Sequence, residues 1–206
     1  MKVSTLAAIA ASLLLAGTAQ AQTVVDFSGT TPGSKPNGFT LSGVSFSDSI
    51  DANLSVQDLG GQSIGQALVV RADDPSALLM SFSTLSRNLS LVFGNDENAF
   101  TLEGDVALLT LFRLGAQVGQ TSVALNRNDL ADQTISLGGI DFDAASFVYA
   151  DSDFAPIELI EVVDNISFDA AAVVPEPATW GLMILGVGAV GGALRRRAVR
   201  TAVRFA

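Results

Sequence analysis

ALLMSFS (77–83), NLSLVF (88–93) and VALLTLFR (106–113) decide the fold. They are separated by TLSR (84–87) and by the acidic turn GNDENAFTLEGD (94–105). Each run is six to eight residues long, rich in Leu, Val and Phe, and bounded by turn formers, which is the pattern of a strand. Upstream, Val44-Ser45-Phe46-Ser47 alternates apolar and polar, as a half-buried strand does. No segment between Gln22 and Val173 shows a capped 3.6-residue apolar period, so the reading is β throughout.

Working outward, the same texture continues in both directions. Val24–Phe27, Val44–Ser47, Asn53–Val56 and Ala67–Arg71 are expected strands on the N-terminal side. Thr30–Gly38 holds two prolines and two glycines and is expected to be a loop. On the C-terminal side the expected strands are Gln117–Leu125, Gln133–Leu137, Ser146–Ala150, Ile157–Val163 and Asn165–Phe168. Eleven or twelve short strands at spacings of about 8–12 residues indicate an all-β sandwich or barrel. The expected architecture is a jelly-roll-like β-sandwich whose first and last strands pair, leaving the C-terminal tail free at one end. Ala170–Val173 is read as a small-residue linker into that tail.

Composition excludes several functions. Residues 22–174 carry five basic residues (Lys35, Arg71, Arg87, Arg113, Arg127) against twenty acidic ones. An excess of fifteen negative charges repels nucleic acid and excludes it as a partner. The chain has no cysteine, so an exported domain must hold together by packing or bound ions. It has no histidine, which removes Ser-His triads, the usual zinc ligand and the commonest general base.

The two ends differ from the middle. Lys2, an apolar run from Leu6 to Ala16 and Ala19-Gln20-Ala21 form a secretory signal with an A-x-A cleavage site, so residues 1–21 are expected to be removed and the mature chain to start at Gln22. A retained N-terminal anchor is the alternative. At the other end stands VPEPATWGLMILGVGAVGGALRRR (174–197). Pro175 and Pro177 hold the chain around Glu176 extended and unpaired, the form a processing enzyme can grip. A charge-free run from Thr179 to Leu194 follows, with Trp180 at its outer end; its 16 residues fall just short of the usual ~17–25 of a membrane span. Arg195, Arg196 and Arg197 close it as a cytoplasmic stop. The expected division is 1–21 signal peptide, 22–172 exported domain and 173–206 tail with a transmembrane helix.

That tail resembles the PEP-CTERM sorting signal of Gram-negative bacteria. The matching residues are Pro175, Glu176, Pro177, Trp180, the run LMILG, Gly188, Gly191 and the arginines. Gly181 stands where the family usually has alanine, and the basic end runs on to Ala206. The resemblance implies recognition and processing by exosortase, an inner-membrane stage with the domain in the periplasm, and final placement at the cell surface or in a polysaccharide biofilm matrix. A plain single-pass anchor is the competing reading. The domain also resembles the β-sandwich ectodomains of such proteins, through VVDFSG, LSLVFGNDE and VDNISF; some of these are related in architecture to carbohydrate-binding modules.

Candidate chemistry in the domain is sparse. Asp96 and Glu97 lie in one turn, Asp151 and Asp153 in another, and Asp26 and Asp164 meet if the terminal strands are neighbours. Calcium takes six to eight oxygens from such carboxylates and loop carbonyls, but no D-x-[DN]-x-[DN]-G loop is present. Solvated turn residues are the bland reading. A polysaccharide hydrolase would need two nearby carboxyls, one buried in an apolar pocket. A glycan-binding module would use exposed aromatic rings, yet the domain has one tyrosine, no tryptophan, and eleven phenylalanines that mostly alternate as core. The expectation is therefore a non-catalytic exported protein. A calcium-stabilised glycan-binding module and, behind it, a hydrolase are the alternatives, with exopolysaccharide the partner each would take.

Overall fold

The structure is a computed structural model that describes residues 22–171 and 177–198. Residues 1–21, read above as a signal peptide with Ala19 and Ala21 at its cleavage site, lie outside these, as do Pro175 and Glu176 of the tail. The chain divides into two units, residues 1–171 and 172–206.

Among the described residues of the first unit, twelve strands pair antiparallel, most of them with one face toward the core. They are β1 (Gln22–Val25), β2 (Gly33–Lys35), β3 (Phe39–Leu41), β4 (Val44–Asp48), β5 (Leu54–Asp58), β6 (Gln66–Val70), β7 (Leu78–Gly94), β8 (Val106–Arg113), β9 (Ala116–Ala124), β10 (Gln133–Leu137), β11 (Phe142–Ala150) and β12 (Glu161–Ala170). Strand β7, 17 residues long, belongs to both layers of the fold. Its first half lies between β4 and β11, and beyond these the layer continues to β3 on one side and to β8 and β9 on the other. Its second half lies between β10 and β12, and β12 continues through β6 to β5 and β2. β1 pairs β12, so the first and last strands are neighbours as expected.

One hydrophobic core fills the space between the layers. Aromatic contacts cross it: Phe93 on Phe147 with ring centroids 5.6 Å apart, Phe27 on Phe46 at 5.7 Å, and Phe82 on Phe168 at 4.9 Å. A strand that serves two layers must reverse which of its residues point inward. Leu78, Met80 and Phe82 face the core in the first half of β7; Leu89, Leu91 and Phe93 face it in the second. The parity changes from even to odd, and Asn88, with φ 57°, sits in the interval. β12 does the same: Val163 faces the core before Asn165 (φ 47°), and Ile166 and Phe168 after it, across a register shift between Asp164 and Ser167. Asparagine tolerates the left-handed region better than most residues because its short polar side chain hydrogen-bonds locally.

Several expected boundaries change. Ala77–Ser83 and Asn88–Phe93 are one strand, because the intervening Ser86 pairs with both Phe142 and Ala170. Ile157–Val163 and Asn165–Phe168 resolve into β12, which starts at Glu161. The loop Thr30–Gly38 contains the short β2, paired to β5. Ala170 ends β12, and Ala171 donates its N–H to the Leu85 carbonyl at 2.7 Å, so the linker's first half belongs to the domain.

In the second unit, α1 runs from Pro177 to Ala198. Proline suits the first helical position, where its missing N–H removes no intrahelical bond.

Candidate functional site

Two regions carry candidate function, and they are built differently. The first is α1. Its charge-free stretch, Ala178–Leu194, is 17 residues, or roughly 26 Å at 1.5 Å per residue, against a hydrocarbon thickness of about 30 Å. Among the described residues no helix is long and apolar enough to cross a membrane. Met183, Ile184, Leu185, Val187, Val190 and Leu194 are all exposed, and a Cβ at Gly181, Gly186, Gly188, Gly191 or Gly192 would meet nothing within 4 Å. Trp180 falls in the first turn. Arg195, Arg196 and Arg197 fall in the last, where cations complement the negative end of the helix dipole.

The second region is acidic. Of the six carboxylates expected as cation ligands, the fold brings together one pair, Asp26 and Asp164. Asp26 follows the end of β1, and its Oδ1 accepts the N–H of Ser28 at 2.8 Å. Hydrogen bonds from the side chain and amide of Ser28 hold its pKa below the ordinary carboxylate value. Asp164 is 2% exposed, and its Oδ1 accepts the Asn165 N–H at 2.7 Å. Burial pushes its pKa up to about 6 against that hydrogen bond, and the Asp26 carboxylate beside it adds to the rise.

The other four lie elsewhere. Asp96 is buried and holds a loop, its carboxylate accepting the N–H groups of Arg127 at 3.0 Å and Asp129 at 3.3 Å. Glu97 accepts the Thr101 hydroxyl through its backbone carbonyl. Asp151 closes its own turn by accepting the N–H groups of Asp153 and Ala155, each at 2.9 Å, and Asp153 is exposed. Among the described residues no group of three or more acidic side chains is placed to hold a metal ion.

Sequence reasoning missed two side chains. Glu161 is fully buried, and neither carboxyl oxygen has a hydrogen-bond partner. Burial pushes its pKa up to about 9, and the charges of Asp48 and Asp74 add to the rise. A general acid must be both protonated and open to substrate; Glu161 is protonated at neutral pH and sealed from solvent. Gln66 opens β6. Its side-chain amide lies 3.0 Å from the Phe27 carbonyl oxygen and 2.7 Å from that of Thr30, and donates to both when its nitrogen faces them. No sequence signal marked either residue: one is an acid among many in the domain, the other a polar residue at a strand start.

A groove of about 620 Å³ lies between the 99–105 and 151–158 segments, with Phe100 and Leu102 exposed on its wall beside Glu158. Its other carboxylates, Asp105 and Asp151, are engaged in capping backbone amides.

Comparison with known proteins gives one family match: residues 173–197 match the PEP-CTERM protein-sorting motif. No curated protein matches the chain. Among solved structures, an arabinose-bound α-L-arabinofuranosidase, MgGH51, is 18% identical with a TM-score of 0.40; the match covers 71% of this chain but 26% of that one, so the chain spans about a quarter of its length. A variant of a family 29 carbohydrate-binding module is 11% identical, with coverages of 76% and 99% and a TM-score of 0.38. The C-terminal family 22 carbohydrate-binding module of Clostridium thermocellum Xyn10B is 13% identical, with coverages of 75% and 95% and a TM-score of 0.39. TM-scores this low carry nothing over to the chain's function.

Proposed function

We propose that this chain, which carries a PEP-CTERM protein-sorting motif at residues 173–197, is an exported, non-catalytic surface or extracellular-matrix protein. On this reading the β domain, jelly-roll-like in plan, crosses the inner membrane behind a cleaved signal. α1 holds it there from the periplasmic side, and exosortase then acts near Pro175-Glu176-Pro177.

The motif is the observation that carries the reading, and the physics of α1 supports it. Five glycines in a helix interior, each about 1 kcal/mol worse than alanine, make α1 a poor helix in water. Exposed leucines, isoleucine and valines compound the cost. In an apolar phase the balance reverses, because unpaired backbone groups have no water to turn to and the apolar side chains are solvated by lipid. Arg195–Arg197 then stop transfer at the cytoplasmic face.

The decisive experiment is mass spectrometry of the mature C-terminus in cells with and without the processing enzyme. A C-terminus near residue 175 that depends on the enzyme is expected. A full-length tail in both strains overturns the reading.

A second reading, a glycan-binding module of the matrix, is favoured by the exposed Phe100 ring over an open groove. Sugar faces stack on such rings. Binding of the chain to exopolysaccharide, lost in Phe100→Ala, is its test.

A further inference from the structure

Two loops meet at one end of the sandwich. Ala150, at the end of β11, pairs with Val106, at the start of β8, so the segment entering β8 (97–105) and the segment leaving β11 (151–158) are neighbours. Together they hold six acidic residues and neither lysine nor arginine. The groove of about 620 Å³ between them has an apolar wall and an acidic one. Phe100 is 69% exposed and Leu102 73% exposed. Glu158, Asp105 and Asp151 supply the carboxylates. Asp105 and Asp151 cap backbone amides, which leaves each its negative charge. Among the described residues none of the three forms an ion pair. Arg127, which reaches the same loop, directs its guanidinium to the carbonyls of Asn98 and Thr101 and is not part of the groove wall.

Both walls are fixed before any ligand arrives. Thr101, next to Phe100, is buried, and its hydroxyl donates to the Asp96 and Glu97 carbonyls at 3.1 and 2.9 Å. Across the groove the Asp151 N–H donates to the Ala155 carbonyl at 2.9 Å. A groove held open in this way loses little freedom on binding.

An exposed ring and unpaired carboxylates suit different parts of one ligand. The ring takes an apolar surface, and its face also attracts a cation. The carboxylates repel an anion and favour a positive group. We propose, resting on the glycan-binding reading above, that the groove takes a glycan with free amino groups, a de-N-acetylated hexosamine polymer. One sugar face lies on Phe100, and an ammonium group meets Glu158, with Asp105 and Asp151 adding to the field. A neutral N-acetylated chain keeps the stacking and loses the charge attraction. A uronate chain is repelled.

The test is calorimetric titration of the full chain in non-ionic detergent, at about pH 6, above the ordinary carboxylate range. The probes are hexaglucosamine, its N-acetylated form and a hexuronate. The amino form should bind about five- to tenfold tighter than the N-acetylated form, and the uronate should not bind. Phe100→Ala, at a side chain outside the core, should remove binding of both. Glu158→Gln should weaken the amino form alone, and Asp73→Asn, at an exposed acid outside the groove, should change nothing. Equal affinity for the amino and N-acetylated forms, both lost in Phe100→Ala, overturns the preference for charge and leaves the glycan reading standing. Binding of no oligosaccharide overturns both. Hexalysine bound as tightly as hexaglucosamine, or amino-form binding that survives Phe100→Ala, overturns the proposal, because unspecific attraction to an acidic surface then accounts for the result.

Discussion

Asn88 and Asn165 are left-handed residues on two strands that hydrogen-bond to each other, and each marks the place where its strand turns its other face to the core. A strand slipped by one residue exposes every apolar side chain it should bury. The two asparagines use that rule to advantage, reversing parity once in β7 and once in β12. Asn88 is tied down further: its amide nitrogen donates to Asp169 Oδ2 at 2.8 Å, and its Oδ1 accepts the Gly139 N–H at 2.9 Å. Among the described residues the Asn165 side chain makes no such bond, which makes it the cleaner probe. Asn165→Val should destabilise the domain by about 1–3 kcal/mol in urea denaturation, because a β-branched residue resists positive φ. Asn165→Gly should stay within about 0.5 kcal/mol of wild type. Equal losses in both would show that backbone conformation is not what the position requires.

Glu161 makes stability depend on pH in an unusual direction. Its pKa is about 9 in the folded chain against an ordinary 4.5. Below pH 4.5 the carboxyl is protonated in both states and its contribution is at its best. As pH rises from 4.5 to about 9 the unfolded chain releases the proton while the folded chain keeps it, and stability falls; above 9 the loss is complete. At pH 7 the deficit is on the order of 3 kcal/mol. Glu161→Gln should therefore raise Tm at pH 7 and flatten its decline between pH 5 and 9. A variant whose pH profile parallels wild type would sink this account.

Gly94 ends β7 under two loops. A Cβ there would lie 2.7 Å from Ala131 Cα, 2.8 Å from its nitrogen and 3.0 Å from the Gln62 carbonyl oxygen. All three are backbone atoms and none can swing aside. Tyr149 also donates its hydroxyl to the Gly94 carbonyl across the core. Gly94→Ala should cost about 1–3 kcal/mol or more, read as a lowered urea midpoint. An unchanged midpoint would mean that the loops yield freely.

For α1, Ile184→Asp places a charge in the middle of the apolar run. Membrane insertion should weaken by about 2.5–3.5 kcal/mol, so the precursor should move from the membrane to the soluble fraction. A change on the β domain's surface, such as Leu114→Asp at a side chain 89% exposed, should leave fractionation unaltered. Retention of Ile184→Asp in the membrane would argue that something other than α1 holds the precursor.

Apolar runs bounded by turn residues made most strands legible, and alternation at Val44 and Phe46 announces an inward face. The pairing of Asp26's strand with Asp164's was also readable. The unity of β7 was not, because Thr84–Arg87 look like a polar turn, and only the partners Phe142 and Ala170 make them strand. The same limit hid the contacts of Gln66. Gln66 matters through atoms of Phe27 and Thr30, which any residue type supplies, so no pattern of side chains could mark it. Glu161 is set apart by burial alone, a property of the assembled layers.

Strand β12 is bonded along one edge to β7 and along the other to β6 and then β1, and its last residues lead toward the tail. A pull on that tail runs along the strand. It must break these ladders together in shear instead of peeling them one bond at a time. A domain so connected can be tugged by its C-terminal end and remain folded.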